Sequence, residues 1–320
     1  MWYRGLLLKA GPVGAAPGDR ADGAGVRSSL AGFTWMAAGA VLFALMGFFG
    51  RVASVHTHFT LVAATRAAVG SLVAYGVGRA RGVPLVVKDR RGIWLRSIFG
   101  TASLLCTFYA LSSPALGLGD TTTLVNLTPV FIAILAPFFL KERTGKRVAV
   151  ALPLCVTGII LILHPAFVFG GTGARSPDAL FTAGVAVTAS FLSANAMMML
   201  RKISQTEGPE AISLHFSLVA TAACLLLSLP HLRVPRAAEG GAMVAAGLSA
   251  GLGQLCMTRA YALERAARIS SMGYLSVVIA AGLGVAFLGE VPGSGAVTGM
   301  CLVIAGGLVV TLAGVRAQGA

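Results

Sequence analysis

The sequence predicts an all-α integral membrane protein: ten transmembrane helices arranged as two inverted five-helix repeats. Three observations predict it. Hydrophobic residues make up 56% of the 320 residues and charged residues 11%, with a mean hydropathy of +0.84. A soluble domain carries about 25% charged residues, so this chain lacks the polar surface to stay in water. Next, Phe139-Leu140-Lys141-Glu142-Arg143-Thr144-Gly145 and Phe287-Leu288-Gly289-Glu290-Val291-Pro292-Gly293 both read Phe-Leu-x-Glu-x-x-Gly, 148 residues apart. Each closes one apolar stretch and precedes another. Finally, the basic residues divide unevenly between alternate loops, which is a topology signal.

The elements follow in chain order. Residues 1–29 are rich in Gly, Ala and charge and predict a disordered cytoplasmic tail. Gly5-Leu6-Leu7-Leu8 is too short for the apolar core of a signal peptide. A spanning helix needs roughly 20 apolar residues. The first repeat, residues 30–170, holds five such stretches: Gly32–Phe49, Thr60–Val77, Ile93–Leu111, Thr121–Leu140 and Val148–Phe169. The second, residues 178–316, holds Ala179–Leu200, Ala211–Leu229, Ala242–Leu263, Ile269–Leu288 and Gly295–Val315. Arg259 near the end of the eighth stretch makes it the least apolar. All five cysteines fall inside apolar segments without metal-ligand spacing and read as small core hydrophobes.

With both termini cytoplasmic, 20 of the 25 Lys and Arg residues, Arg96 among them, lie in tails and loops on that side. Four lie opposite (Arg51, Arg175, Arg233 and Arg236), and Arg66 lies within the second helix. This matches the positive-inside rule. Five helices per half is an odd number, so the second half enters the membrane from the other side. Glu142 then ends its helix at the cytoplasm and Glu290 ends its helix outside. Phe33/Phe181, Thr34/Thr182, Leu127/Leu275 and Gly158/Gly306 keep the offset of 148. Tyr109-Ala110-Leu111 and Tyr261-Ala262-Leu263 match at 152.

Leu116-Gly117-Leu118-Gly119-Asp120, Asn126-Leu127-Thr128-Pro129-Val130-Phe131 and Phe139-Leu140-Lys141-Glu142-Arg143 together resemble the EamA-type drug/metabolite transporters. Arg66 and Phe108-Tyr109-Ala110-Leu111 also fit that pattern. The resemblance spans roughly residues 30–315 and implies ten helices around a central cavity, working by alternating access. It implies cavity walls from the first, third, fourth, sixth, eighth and ninth helices. It also implies kinship with small multidrug exporters, nucleotide-sugar carriers and amino-acid exporters, a breadth that leaves the substrate unnamed. The second half departs from the pattern: Val277 stands where the first has Pro129, and Gly289 where the first has Lys141.

Arg66 is the outstanding candidate, because a charge within a span is costly and is functional by default. It reads either as a cationic anchor for a carboxylate or phosphate of the substrate, or as a structural charge paired with Asp120 or with helix-end carbonyls. Asn126, Asn195 and Gln254 are the expected uncharged polar contacts, since a primary amide offers both donors and an acceptor. Tyr109, Tyr261 and Tyr274 are candidates to stack on a substrate ring, with interface anchoring as the alternative for the first two. For Ser and Thr at depth, a bond to the preceding helical turn is the ordinary reading. Pro129 removes a mid-helix hydrogen bond, so it either kinks the helix or opens carbonyls toward a cavity. Glu142 and Glu290 recur at equivalent helix ends, which points to a shared structural role there. His215 reads as a helix-packing residue. Gly247/Gly251 and Gly295/Gly299 are GxxxG spacings that allow close helix contact.

The predicted function is a secondary transporter, a permease moving a small organic metabolite across the cytoplasmic membrane. The alternative is an exporter of drugs or toxic compounds. An enzyme is disfavoured: His-Glu-x-x-His, Gly-x-Ser-x-Gly and a phosphate-binding Gly-rich loop are all missing, and no metal or cofactor is implied. A channel is disfavoured by the inverted halves. The net charge of +14 forms no basic stripe of the kind that holds nucleic acid. The expected partners are the lipid bilayer and the transported metabolite, with a homodimer left open. All eleven acids lie in tails, loops or helix ends, which tilts the substrate toward an anion, a zwitterion or a polar neutral molecule.

Overall fold

The computed structural model describes residues 19–140, 147–163, 176–263 and 270–316. The described residues form eleven α-helices. In chain order these are α1 (Asp19–Ser54), α2 (Phe59–Ala80), α3 (Arg90–Ser112), α4 (Leu118–Val125), α5 (Thr128–Leu140), α6 (Arg147–Leu163), α7 (Pro177–Ile203), α8 (Pro209–Ser228), α9 (Ala237–Leu263), α10 (Tyr274–Leu288) and α11 (Ser294–Arg316). A 3-10 turn at Ser270–Gly273 leads into α10. Six of these helices are long and apolar enough to cross a membrane among the described residues: the apolar part of α1, then α2, α3, α7, α8 and α9.

Two expectations are corrected. The boundary at residue 29 falls inside α1, which begins at Asp19; residues 1–18 lie outside the described residues. The single stretch Thr121–Leu140 is two helices, α4 and α5, joined at Asn126-Leu127. The break has a local cause. Pro129 lacks an N–H and so offers nothing to the carbonyl of Val125, but it suits the first turn of α5. The Thr128 hydroxyl donates to that carbonyl instead, at 3.1 Å, and the Asn126 amide donates to Thr122 O at 2.8 Å. The second half repeats the device without a proline. Ser276, 148 positions after Thr128, donates to Gly273 O at 2.5 Å. The two breaks meet where Asn126 Nδ2 donates to Ser276 Oγ at 3.2 Å.

The helices pair between the two halves in a reciprocal pattern. α1 packs on α9 and α3 on α7, and α2 packs on α8, α4 on α10 and α6 on α11. Small residues set two of the closest approaches. A Cβ on Gly158 of α6 would stand 2.6 Å from Gly299 O on α11, and a Cβ on Gly299 would stand 2.5 Å from Gly158 O. Gly247 and Gly251 of α9 give the same clearance to Val69 and Val73 of α2. Small residues let backbones touch where lipid offers no hydrophobic drive for helix association. Gly158→Val should therefore force α6 and α11 apart and cost roughly 3 kcal/mol, the upper part of the overpacking range. A melt in detergent checks this; an unchanged midpoint would mean that the contact is dispensable. Outward faces carry large apolar side chains such as Leu72 and Phe287, both 70% exposed, as a lipid-facing surface requires.

Both ends of the α2–α8 pair are tied by carboxylates. At one end Arg81 pairs with Glu210, and Glu207 accepts from the backbone N–H groups of Lys88 and Asp89 at 2.8 and 2.9 Å. At the other, Glu239 accepts from Arg233 at 2.6 Å and from the Thr57 hydroxyl at 3.1 Å. Thr57/Glu207 and Asp89/Glu239 each stand 150 positions apart, so equivalent loops exchange the donor and acceptor roles.

Candidate functional site

A cavity of about 210 Å³ opens between the two halves. Its wall comes from α1 through Met36, Phe43 and Met46, and from α3 through Ser103, Thr107 and Phe108. Asn126, Thr128 and Pro129 contribute the α4–α5 break, and Ser193 and Met197 come from α7. Gln254, Met257 and Tyr261 of α9 and Ser276 of α10 close the far side. α2 and α8, the second and seventh predicted spans, also reach it through Arg66 and Phe216, which adds two elements to the walls expected from sequence. Among the described residues no Asp or Glu lines it.

Arg66 is 6% exposed and lies on the cavity wall. The expected ion pair with Asp120 does not form: Arg66 is absent from the ion pairs among the described residues. Its guanidinium carbon stands 5.8 Å from the centre of the Phe216 ring, and its Nε has no hydrogen-bond partner. Phe216 stands 150 positions after Arg66, just as Pro209, which starts α8, stands 150 after Phe59, which starts α2. Arg66 thus touches the residue at its own equivalent position in the other half. Asp120 instead sits in the first turn of α4 and interacts favourably with the charge of Arg51.

Arg96 is the residue that the sequence reading assigned elsewhere. It was counted with the cytoplasmic basic residues although it stands three positions inside the predicted span Ile93–Leu111; it is 1% exposed and lines the cavity. The reason is the helix start. Asp89 caps α3 by accepting from Gly92 N at 2.9 Å, so the helix begins at Arg90 and carries Arg96 nearly two turns inside. Arg96 shares a buried stripe with Ile93, Ser97 and Gly100, while Trp94 and Ile98 face outward and are more than half exposed. That spacing of small and apolar residues around an arginine was the available signal. Its guanidinium carbon lies 3.9 Å from the centre of the Phe216 ring, and neither its Nε nor its Nη1 has a partner. A Cβ at Gly100 would stand 2.5 Å from Arg96 Nη1 and 2.9 Å from the ring, so this glycine opens the slot in which the two stack.

The other expected residues divide. Asn126, Gln254, Pro129 and Tyr261 line the cavity. Gln254 Nε2 donates to the Thr258 hydroxyl at 3.3 Å, and its carbonyl end leaves an acceptor for another donor. Tyr109 does not line the cavity; it packs edge-on against Phe59 and Phe181, and its neighbour Phe108 faces inward. Asn195 is buried but donates to Phe191 O of its own helix at 2.9 Å, off the wall. Tyr274 is 3% exposed in an apolar cluster with Leu127 and Val277, away from the cavity. His215 meets Ser97 at 3.1 Å and Trp94 edge-on.

Glu290 stands apart from the cavity. Its carboxylate pairs with Arg51 Nη2 at 2.7 Å and accepts from Leu118 N, at the start of α4, at 2.6 Å. Arg51 Nη1 also donates to the carbonyls of Ser113 and Leu116, at 3.1 and 2.8 Å. Gly289, with φ at 65°, is the left-handed cap of α10 that delivers Glu290 to this position, which accounts for a glycine where the first half has Lys141. Arg201 reaches Tyr261 O at 2.6 Å, as Arg51 reaches the end of α3. Glu142 lies outside the described residues.

A model of the EamA-like transporter family matches residues 30–164 and again 180–312. The chain belongs to the EamA-like transporter family. This EamA chain is therefore a multi-pass membrane transporter and not an enzyme. It is 30% identical to the pseudopaline exporter CntI of Pseudomonas aeruginosa, over 78% of this chain and 82% of that one. It is 28% identical to solute carrier family 35 member G1 of Mus musculus, over 68% of this chain and 60% of the other. With the riboflavin transporter of Vibrio cholerae it shares 23% identity, over 82% of this chain and 87% of the relative. A solved crystal structure covers 92% of this chain and is itself covered to 99%, with a TM-score of 0.65 and 22% identity. That likeness speaks for the fold alone.

Proposed function

We propose that this EamA chain is a secondary active transporter that moves a small organic metabolite by alternating access, and that the substrate is anionic, zwitterionic or polar. One observation carries the reading: a cavity walled by both halves holds a buried arginine, Arg66, without a carboxylate partner among the described residues. A charge kept in a span at that cost is retained for something that binds it. Asn126 and Gln254 supply neutral hydrogen-bonding groups on the same wall. The reciprocal pairing of helices between the halves supports two inverted five-helix repeats, with α4 and α5 counted as one broken span. Broken helices beside a cavity are where transporters expose backbone groups to substrate. Relatives named as a pseudopaline exporter and a riboflavin transporter fit an organic cargo.

The membrane is the cytoplasmic one, with both termini inside, Glu142 inside and Glu290 outside; the division of basic residues, 20 to 4 from sequence and 19 to 4 with Arg96 on the cavity wall, supports this. Cysteine labelling of intact cells, in a cysteine-free background, should modify position 292 and spare position 146. Equal labelling of both would overturn the orientation. Four methionines on the wall, Met36, Met46, Met197 and Met257, would suit an exporter of varied apolar drugs. Buried arginines with no acid beside them among the described residues argue against lipophilic cations. Proteoliposomes loaded with amino acids, organic acids, nucleotides and cationic dyes test the function: counterflow of an acid or a zwitterion is expected. Flux of the dyes alone would replace this reading with drug export.

A further inference from the structure

We infer that Arg66 and Arg96, which both stand over the Phe216 ring, form one two-cation site, and that the transported ligand carries two anionic groups, as a dicarboxylate or a phosphate monoester does. The inference deepens the transport reading above and rests on it.

Arg66 and Arg96 are 6% and 1% exposed, and both line the same cavity. Each stands over one ring, at 5.8 and 3.9 Å from its centre, so the two charges lie less than ~10 Å apart in a poorly screened interior and repel one another. Phe216 offsets part of this through its negative face. A ring cannot supply the hydrogen-bond acceptors that Arg66 Nε, Arg96 Nε and Arg96 Nη1 lack. Buried donors without acceptors are rare in native structures and call for an explanation. Among the described residues, no ion pair or hydrogen bond reaches either guanidinium, and no acid lines the cavity.

A monoanion would satisfy one fork and leave the other charge buried and uncompensated. A dianion neutralises both, and each guanidinium presents a planar fork that matches carboxylate or phosphate oxygens. The arrangement is held in place by α3 itself. Gly100 opens the slot for the Arg96 side chain and the ring, and the α3 cap at Asp89 sets the depth at which Arg96 enters. Ser103, Thr107, Asn126 and Gln254 remain for the uncharged part of the ligand.

The test uses the purified full-length protein and pairs of probes that differ by one charge: succinate with monomethyl succinate, glutarate with its monomethyl ester, and glycerol 3-phosphate with lactate. Binding is read by titration at pH 7.5, where both carboxylates of a diacid are ionised. The native protein should bind at least one dianion tenfold or more tightly than its singly charged partner. Arg96→Gln should bring that ratio close to one while keeping some affinity for both probes, and Arg96→Lys should restore most of it. A purely structural role for Arg96 would weaken both probes in parallel and leave the ratio unchanged. Equal affinity for mono- and dianions in the native protein, or a ratio that survives Arg96→Gln, overturns the proposal, as does failure of every dianion to bind. Counterflow of a neutral or zwitterionic metabolite by Arg96→Gln would overturn the two-cation site and leave the transport function intact. Absence of counterflow for any metabolite would remove that function itself.

Discussion

Arg66→Ala is expected to abolish transport while the protein stays folded. An arginine held in an ion pair behaves in the opposite way, since removing it orphans a buried acid at a cost of about 3–5 kcal/mol. Arg66 has no such partner among the described residues. Its removal orphans nothing among the described residues and relieves the repulsion with Arg96 over the same ring. The melting temperature in detergent should therefore hold or rise. Flux of the metabolite found in the proteoliposome screen should fall at least a hundredfold, about 2.7 kcal/mol by the usual conversion of rate to free energy. Arg66→Lys keeps the charge but loses the fork, so it should fold normally and transport about tenfold more slowly. Asp120→Ala should not rescue either variant. A well-folded Arg66→Ala protein with full transport would remove the cationic anchor from the mechanism.

Glu290→Ala should produce the reverse result, a stability defect. The carboxylate compensates Arg51 at 2.7 Å and caps the start of α4 through Leu118 N at 2.6 Å. Arg51 in turn holds the carbonyls of Ser113 and Leu116 where α3 gives way to α4. One side chain therefore ties α1, α4 and α10 together, and its loss leaves Arg51 Nη2 and a backbone N–H without their acceptor. The two side chains are 14% and 22% exposed, so water offsets part of the loss. A decrease of roughly 2–3 kcal/mol is expected, below the figure for a fully buried pair. Glu290→Gln keeps an oxygen for Leu118 N and should lose about half as much. In a double-mutant cycle, Arg51→Leu with Glu290→Leu should cost clearly less than the sum of the single changes. Strict additivity would show that the two side chains do not work as a pair.

Both experiments bear on how much was legible before folding. The membrane class, the family and the two related halves follow from composition and from Phe-Leu-x-Glu-x-x-Gly repeated 148 residues apart. Such features are local: a long apolar run or a helix-ending motif keeps its meaning wherever the chain goes. Arg66 was legible as a candidate for the same reason, because a charge within an apolar stretch is costly in any arrangement. Asn126 and Gln254 were legible through their side-chain chemistry, and Pro129 through the hydrogen bond it cannot make.

What Arg66 faces could only be decided in three dimensions. Asp120 was the expected partner because it ends a nearby span, yet the packing gives Asp120 to the Arg51 end of the bundle. Arg66 is left with Phe216, on the helix equivalent to its own in the other half. No local pattern marks a phenylalanine as the far side of a cation site. Arg96 escaped notice because a basic residue near an apolar boundary reads as a loop charge even three positions inside the predicted span Ile93–Leu111; the cap at Asp89 starts α3 earlier still and sets Arg96 deeper. Tyr109 and Asn195 failed to reach the cavity for a related reason, since helix rotation sets which face turns inward and one residue of register moves a side chain by about 100°. The sequence by itself determined that this chain spans a membrane as an EamA transporter in two related halves, because burying apolar surface and satisfying backbone hydrogen bonds are demands on each segment alone. Only the tertiary structure decided which side chains share the cavity, because two arginines and a phenylalanine on three different helices converge only when those helices pack.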